Sequence, residues 1–408
     1  MLDVAQALEL VLQHARSPAP TRVSLSRALG LALAEDVRSD IDSPPHDKAL
    51  VDGYAVRAAD LAVGTGELRV LEEVTAGAVP THTITQGAAT RIMTGAPIPA
   101  GADAVVMVEQ TELHDSATEV NGAIVKIAAP KVTSGQNILP RAASMKRGEI
   151  VLRAGCRIRA IEVGLLAEFG QAEVSAFPLP SVALLATGNE LVRAETTPAP
   201  GQIRNSNGPM LAALADATGA DVTDLGIAPD NEESLSAAIR DALTRDVAVL
   251  SGGVSAGVLD LVPAVLARLG VRQVFHKVRL KPGMPLWFGS LESDDRKRLV
   301  FGLPGNPVSS LVCFELFVKP ALRALAGRSD VAHDTRTARL ATEHQQRGDR
   351  ATYWPATLQR EGNESTVQLL GWKGSADLAT LAAADCLAVF PPGTERFPVG
   401  TTIEVVLL

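Results

Sequence analysis

Three cations, Lys277, Arg279 and Lys281, recur at every second position in Val-Phe-His-Lys-Val-Arg-Leu-Lys-Pro-Gly (274–283). In an extended chain side chains alternate faces, so these three share one side and His276, Val278 and Leu280 share the other. Cations in a row repel unless water or an anion sits between them. One reading is a solvated edge strand protected by lysines. The sharper one is a cradle for a phosphate or another oxyanion. A second anion device lies at 247–260, Val-Ala-Val-Leu-Ser-Gly-Gly-Val-Ser-Ala-Gly-Val-Leu-Asp. An apolar run breaks at Ser251-Gly252-Gly253, and a helical pattern follows from Leu261. Glycines there let backbone N–H groups point outward at a helix start, where an anion is stabilised. The stretch matches neither a Walker loop nor a G-x-G-x-x-G fingerprint, so taken alone it is an ordinary strand-to-helix turn. Residues 299–310 repeat the pattern around Pro304-Gly305-Asn306-Pro307, where Asn306 can cap a helix and Pro307 can start it.

Carboxylates stand in comparable loops. Glu190 follows Thr187-Gly188-Asn189, and Asp230 follows Pro229. Asp47 and Asp52 lie in a loop rich in Pro, Gly and Asp. Such residues either cap turns or hold a metal or substrate from a rigid loop.

The elements that must position these groups follow from periodicity. Residues 181–327 alternate strands (182–185, 222–227, 247–250) with helices (209–218, 232–244, 261–267). That order predicts a mostly parallel sheet with right-handed crossovers. Ligands then sit beyond the strand C-termini. Glu190, Asp230 and the Ser251-Gly252-Gly253 turn each follow a strand, so all three can share one rim. Residues 42–140 are β-rich, with strands at 68–71, 104–108 and 123–127 between Gly and Pro breaks. Helical spacing marks 3–16, 28–33 and 161–167. If 1–41 and 141–178 form one helical/β hinge unit, the β-rich module is inserted in it. The α/β domain then covers 179–328. A small β domain covers 329–408, with strands at 337–341, 366–370, 386–390 and 402–407 and a short helix begun near Gly374-Ser375-Ala376-Asp377. Nothing in it demands chemistry.

Composition sets the bounds. The 408 residues suit several domains, and 46% hydrophobic against 21% charged residues argues against global disorder. A net charge of −8 argues against nucleic acid as a partner and makes any anion site local. Cys156, Cys313 and Cys386 are scattered, without a CxxC pair, which fits a reducing compartment and not a Cys zinc site. The N-terminus lacks a basic region and no apolar run reaches membrane-spanning length, so a cytoplasmic protein without membrane contact is expected.

Taken together, the motifs resemble the molybdopterin molybdenumtransferase family, meaning the bacterial MoeA proteins and the E domain of gephyrin. They are Pro44-Pro45-x-Asp47 with Asp52-Gly53-Tyr54-Ala55-Val56, Arg91-Ile92-Met93-Thr94-Gly95-Ala96-Pro97, Thr187-Gly188-Asn189-Glu190-Leu191, Ser251-Gly252-Gly253-Val254-Ser255, Lys281-Pro282-Gly283 and Gly302-Leu303-Pro304-Gly305-Asn306-Pro307-Val308-Ser309. The resemblance spans nearly the whole chain. It implies an α/β multidomain fold: an α/β molybdopterin-binding domain with a mostly parallel sheet, an inserted β domain, a helical/β hinge domain and a C-terminal β-barrel-like domain. It further implies a homodimer whose cleft lies between the α/β domain of one subunit and the inserted domain of the other. The implied reaction takes adenylylated molybdopterin and molybdate, with Mg2+, to molybdenum cofactor and AMP. The molybdopterin adenylyltransferase is a further implied partner.

By match, the family's catalytic positions fall on Asp52, Thr94, Asp260, Lys277 and Lys281. Metal ligands fall on Glu190, Asp230 and Asp260. The pterin falls to Gly188, Ser251, Gly252, Gly253, Val254, Ser255, Pro304, Gly305 and Asn306. Three features depart from the family pattern. His46 and Lys48-Ala49 replace a Phe and an Asn-Ser around Asp47. Met284 stands where a Lys is usual, and no acid occurs at 142–145. These departures bear on the oxyanion more than on the pterin. They leave open a molybdopterin-binding carrier or paralogue with weak or altered metal insertion. A doubly wound nucleotide-dependent transferase of another family is a third reading, and it leaves the loops at 43–56 and 91–105 unexplained.

Overall fold

The computed structural model describes residues 1–113, 121–253, 261–293, 296–362 and 364–408. The chain packs as two units: Met1–Glu35 with Ala154–Val163 and Glu173–Leu408, and Asp36–Arg153 with Gly164–Ala172.

In the first unit the alternating pattern becomes a six-stranded sheet in the order Asp221–Ala228, Ser181–Thr187, Val247–Ser251, Arg296–Leu303, Trp287–Ser293 and Arg272–His276. The first four strands run parallel, and the last two pairings are antiparallel. Alternate residues feed opposite faces, as the period of two requires. Val182 and Leu184 join Leu211, Ala215 and the helices at 307–325 on one face. Ala183 and Leu185 meet Leu235 and Ile239 of helix Glu232–Ala242 and Val265 and Leu266 of helix Leu261–Arg268 on the other. The N-terminal helix Val4–His14, capped by Asp3, sends Ala7 and Val11 into the first of these cores.

The C-terminal part closes into a barrel. Ala351–Glu361, Glu364–Leu369, Thr335–Leu340, Thr402–Leu407 and Cys386–Phe390 pair in turn, and Cys386–Phe390 returns to Ala351–Glu361. The eleven-residue strand Ala351–Glu361 carries the closure and had no clear alternation in the sequence.

The second unit holds a six-stranded sheet in the order Ala104–Met107, Gly53–Val56, Ala88–Ile92, Thr65–Val74, Ile124–Ala128 and Thr111–Leu113. Its core is Tyr54, Val56, Leu68, Val70, Val106, Val125 and Ile127. A Cβ on Gly53 would fall 1.9 Å from the Val106 carbonyl oxygen, so only glycine lets these strands approach.

Two local expectations are corrected. Residues 28–33 do not form a helix: Gly30 turns through φ 86°, and Ala32–Leu33 pairs as a strand with Glu173–Phe177. The cation row is not one continuous strand either. Arg272–His276 ends before Lys277, which has φ 71°, and Leu280–Lys281 leaves to pair with the barrel strand Ala351–Glu361. Among the described residues no helix is long and apolar enough to cross a membrane.

Candidate functional site

Register sets the rim of the α/β sheet. Leu250 pairs with Gly302, Gly302 with Trp287, and Trp287 with His276. The turn after Ser251, the turn after Leu303 and Lys277 therefore lie at one end of the sheet. Thr187 ends the neighbouring strand at the same level, since Ala186 pairs with Ser251.

The glycine turn is built by close approach. Gly252 has φ 92° and Gly253 has φ 64°. A Cβ on Gly252 would lie 2.5 Å from the Thr187 carbonyl oxygen, and one on Gly253 would lie 2.7 Å from Val262 Cγ2. The Gly252 amide donates to the Leu303 carbonyl at 3.1 Å, tying this turn to the strand that precedes Pro304. Helix Pro307–Cys313 starts at the second turn, with Asn306 as its cap residue. Asn306 makes no side-chain capping bond. Its Nδ2 donates instead to Ser375 Oγ at 2.8 Å, and the Val308 amide donates to the Ser375 carbonyl. Ser375 was unremarkable in the sequence; only the docking of its loop on this helix start reveals it.

The carboxylate loops meet as expected for adjacent parallel strands. The Asn189 amide donates to Asp230 Oδ2 at 3.2 Å, and the Asp230 amide donates to Asn189 Oδ1 at 3.1 Å. Glu190 folds back over Gly188, where a Cβ would lie 2.5 Å from Glu190 Oε2. Asn189, Glu190 and Asp230 are exposed. These are hard oxygen donors of the kind Mg2+ takes. No group of three His, Cys, Asp or Glu at metal-binding spacing occurs among the described residues. Val254, Ser255 and Asp260 lie outside the described residues.

The cations separate into different roles. The Arg279 amide donates to the Leu2 carbonyl and its Nε to the Met1 carbonyl at 3.2 Å, so Arg279 anchors the N-terminus. Lys277 and Lys281 are half-buried and form no ion pair with the described residues. The pairing of Lys281 with Thr352 brings the barrel strand alongside. Burial pushes the His344 imidazole below its ordinary range, and the nearby charge of Lys281 acts in the same direction. Arg350 Nη1 lies 3.9 Å from Met284 Sδ. Sequence patterns did not single out Arg350, because it reaches this loop only through the barrel pairing.

In the second unit Asp52 precedes strand Gly53–Val56 and Thr94 follows strand Ala88–Ile92. Gly53 pairs with Ile92, so the two loops are neighbours. Hydrogen bonds from the Thr94 hydroxyl and amide hold the Asp52 carboxyl below the usual carboxylate range. Asp47 ties its loop to a distant segment of the chain, accepting from the Arg141 amide at 2.7 Å.

Residues 2–170 match the MoeA N-terminal region (domain I and II), 183–324 a probable molybdopterin binding domain, and 337–408 the MoeA C-terminal region (domain IV). The molybdopterin molybdenumtransferase of Staphylococcus aureus strain COL is 33% identical over 412 residues, covering 100% of this chain and 95% of that protein. A molybdopterin biosynthesis MoeA protein structure from Pyrococcus horikoshii OT3 superposes with a TM-score of 0.81 at 29% identity, covering both chains fully. A second such structure, from Pyrococcus horikosii, gives 0.78 at 33% identity, covering 100% of this chain and 99% of that one. The chain belongs to the molybdopterin molybdenumtransferase family of MoeA proteins.

Proposed function

We propose that this protein inserts molybdate into adenylylated molybdopterin, releasing AMP and molybdenum cofactor. One observation carries the reading: the 251–253 turn, the 304–306 turn and Lys277 share one end of the sheet, and Lys277 and Lys281 lack carboxylate partners among the described residues. The Gly252 N–H is taken by the Leu303 carbonyl, so in this reading it is the Gly253 N–H that meets the pterin's terminal phosphate. In this reading the pterin site comprises Gly188, 251–255 and 304–306. Lys277 and Lys281 hold the molybdate or phosphate oxygens and offset charge as the phosphoanhydride breaks. Arg350 beside Met284 supplies the cation that a lysine at 284 would otherwise give.

Glu190 and Asp230, with Asp260, hold Mg2+ in this proposal; the ion supplies charge neutralisation at the phosphates. The protein acts as a cytoplasmic homodimer. Asp52 and Thr94 serve the cleft of the partner subunit, and the molybdopterin adenylyltransferase delivers the substrate. The four-part division drawn from the sequence belongs to the same proposal.

The test is reconstitution. Incubation with adenylylated molybdopterin, Mg2+ and molybdate should yield a product that activates a molybdenum enzyme stripped of its cofactor. Tight binding without activation would favour the carrier reading, for which Met284 and the absence of an acid at 142–145 speak.

A further inference from the structure

Asn207 joins the two turns that face the proposed phosphate. It opens helix Asn207–Thr218 and is only 7% exposed. Its Nδ2 donates to Ser251 Oγ at 2.8 Å and to the Gly305 carbonyl at 2.8 Å, with Ser310 Oγ further off at 3.4 Å. A primary amide has two N–H donors, so one goes to each turn. The turns are in near contact: a Cβ on Gly305 would stand 4.0 Å from Gly252 Cα. Ser310 Oγ also donates to the Pro304 carbonyl, which extends the same network under the second turn. Asn207 Oδ1 is buried and accepts no hydrogen bond among the described residues. An unpaired buried acceptor is costly, and an apolar side chain of similar size would avoid it. The value of the amide therefore lies in the two bonds it makes.

We propose that Asn207 is a positioning residue for the pterin substrate: its two N–H bonds fix the spacing of the 251–253 and 304–306 turns. Backbone N–H groups grip a phosphate only when their directions are preset, so a change in that spacing weakens binding. This inference rests on the function proposed above.

The test measures the Kd of adenylylated molybdopterin by calorimetry for the wild-type protein, Asn207→Ala, Asn207→Leu and Ser181→Ala. Asn207→Leu keeps the side-chain size, removes both donors and the orphaned acceptor without adding charge, and it stands in if Asn207→Ala does not fold. Ser181→Ala breaks the hydroxyl bond to Asp246 at the opposite end of the same sheet. It therefore reports what a structural defect alone does. The expected result is a Kd at least tenfold higher for the Asn207 variants, KM raised more than kcat falls, and an unchanged Kd for Ser181→Ala at a lower Tm. Wild-type affinity in an Asn207 variant, or an equal loss in Ser181→Ala, overturns the inference. If the wild-type protein itself binds no adenylylated molybdopterin, the proposed function fails, and the inference with it.

Discussion

Both donors of Thr94 converge on one oxygen of Asp52, the amide at 2.7 Å and the hydroxyl at 2.6 Å from Oδ1. The pair is exposed, so its value lies in holding a charged carboxylate in a fixed direction and not in burial. Asp52→Ala should reduce AMP release from adenylylated molybdopterin by about a hundredfold, as expected when a group that positions the reaction is lost. Thr94→Val, which removes one of the two bonds, should lie between that and wild type. Far-ultraviolet circular dichroism should be unchanged in both. The depressed titration of Asp52 also fixes a sign: the stabilisation from the ionised carboxylate accepting both Thr94 bonds is complete above the ordinary carboxylate range and is lost as pH falls below it.

Lys281 hangs on the short strand Leu280–Lys281, which is paired to the barrel, and Val278 and Leu280 just before it are fully buried. Lys281→Ala removes charge and leaves that core intact. AMP release should fall about a hundredfold or more, with Tm within a few degrees of wild type. Unchanged molybdate-dependent turnover would remove Lys281 from the oxyanion site.

The turn at Gly252 predicts a coupled loss. Its φ of 92° and the Thr187 carbonyl 2.5 Å from a Cβ leave no room for alanine. Gly252→Ala should destabilise the first unit by about 1–3 kcal/mol and also weaken binding of the pterin. A variant with normal pterin affinity would show that the turn does not face the phosphate.

Acid should loosen the structure through two carboxylates. At Glu72, burial alone would raise the pKa; bonds from the Thr81 hydroxyl, the His82 amide and ring and the Thr81 amide outweigh it and lower the value to about 2. Side-chain hydrogen bonds from Arg159 lead the lowering at Glu162, also to about 2. Each folded value is depressed, so each contribution is complete above about pH 4.5 and is lost as pH falls toward 2. Glu72→Gln should cost about 1 kcal/mol at pH 7, and the difference from wild type should vanish near pH 2 in denaturant melts.

Thiol labelling checks the cores. Burial raises the Cys313 thiol far above its ordinary range and pushes Cys386 up to about 12. Cys156 is only half-buried. In the native protein a thiol-reactive dye should modify Cys156 first, and Cys313 and Cys386 only on unfolding.

The placement of the candidate site's turns was legible because they sit where strand periodicity ends. The runs at 182–185 and 247–250 announced their strands, and the glycines after them announced the turns. The carboxylates at 190 and 230 followed from the same rule. What stayed hidden depends on long-range pairing. Arg350 and Ser375 come from a barrel whose closing strand has no regular alternation, and they meet Met284 and Asn306 only in three dimensions. The bend at Lys277 was invisible too, since a non-glycine residue with positive φ carries no compositional mark. Asn207 stayed hidden as well, because its partners Ser251 and Gly305 are 44 and 98 residues away.

The most direct test of the central claim is AMP release from adenylylated molybdopterin with Mg2+, measured with and without molybdate. Release that depends on molybdate, and that disappears in Lys281→Ala, is the predicted result. Pterin bound tightly with AMP release indifferent to molybdate would contradict it.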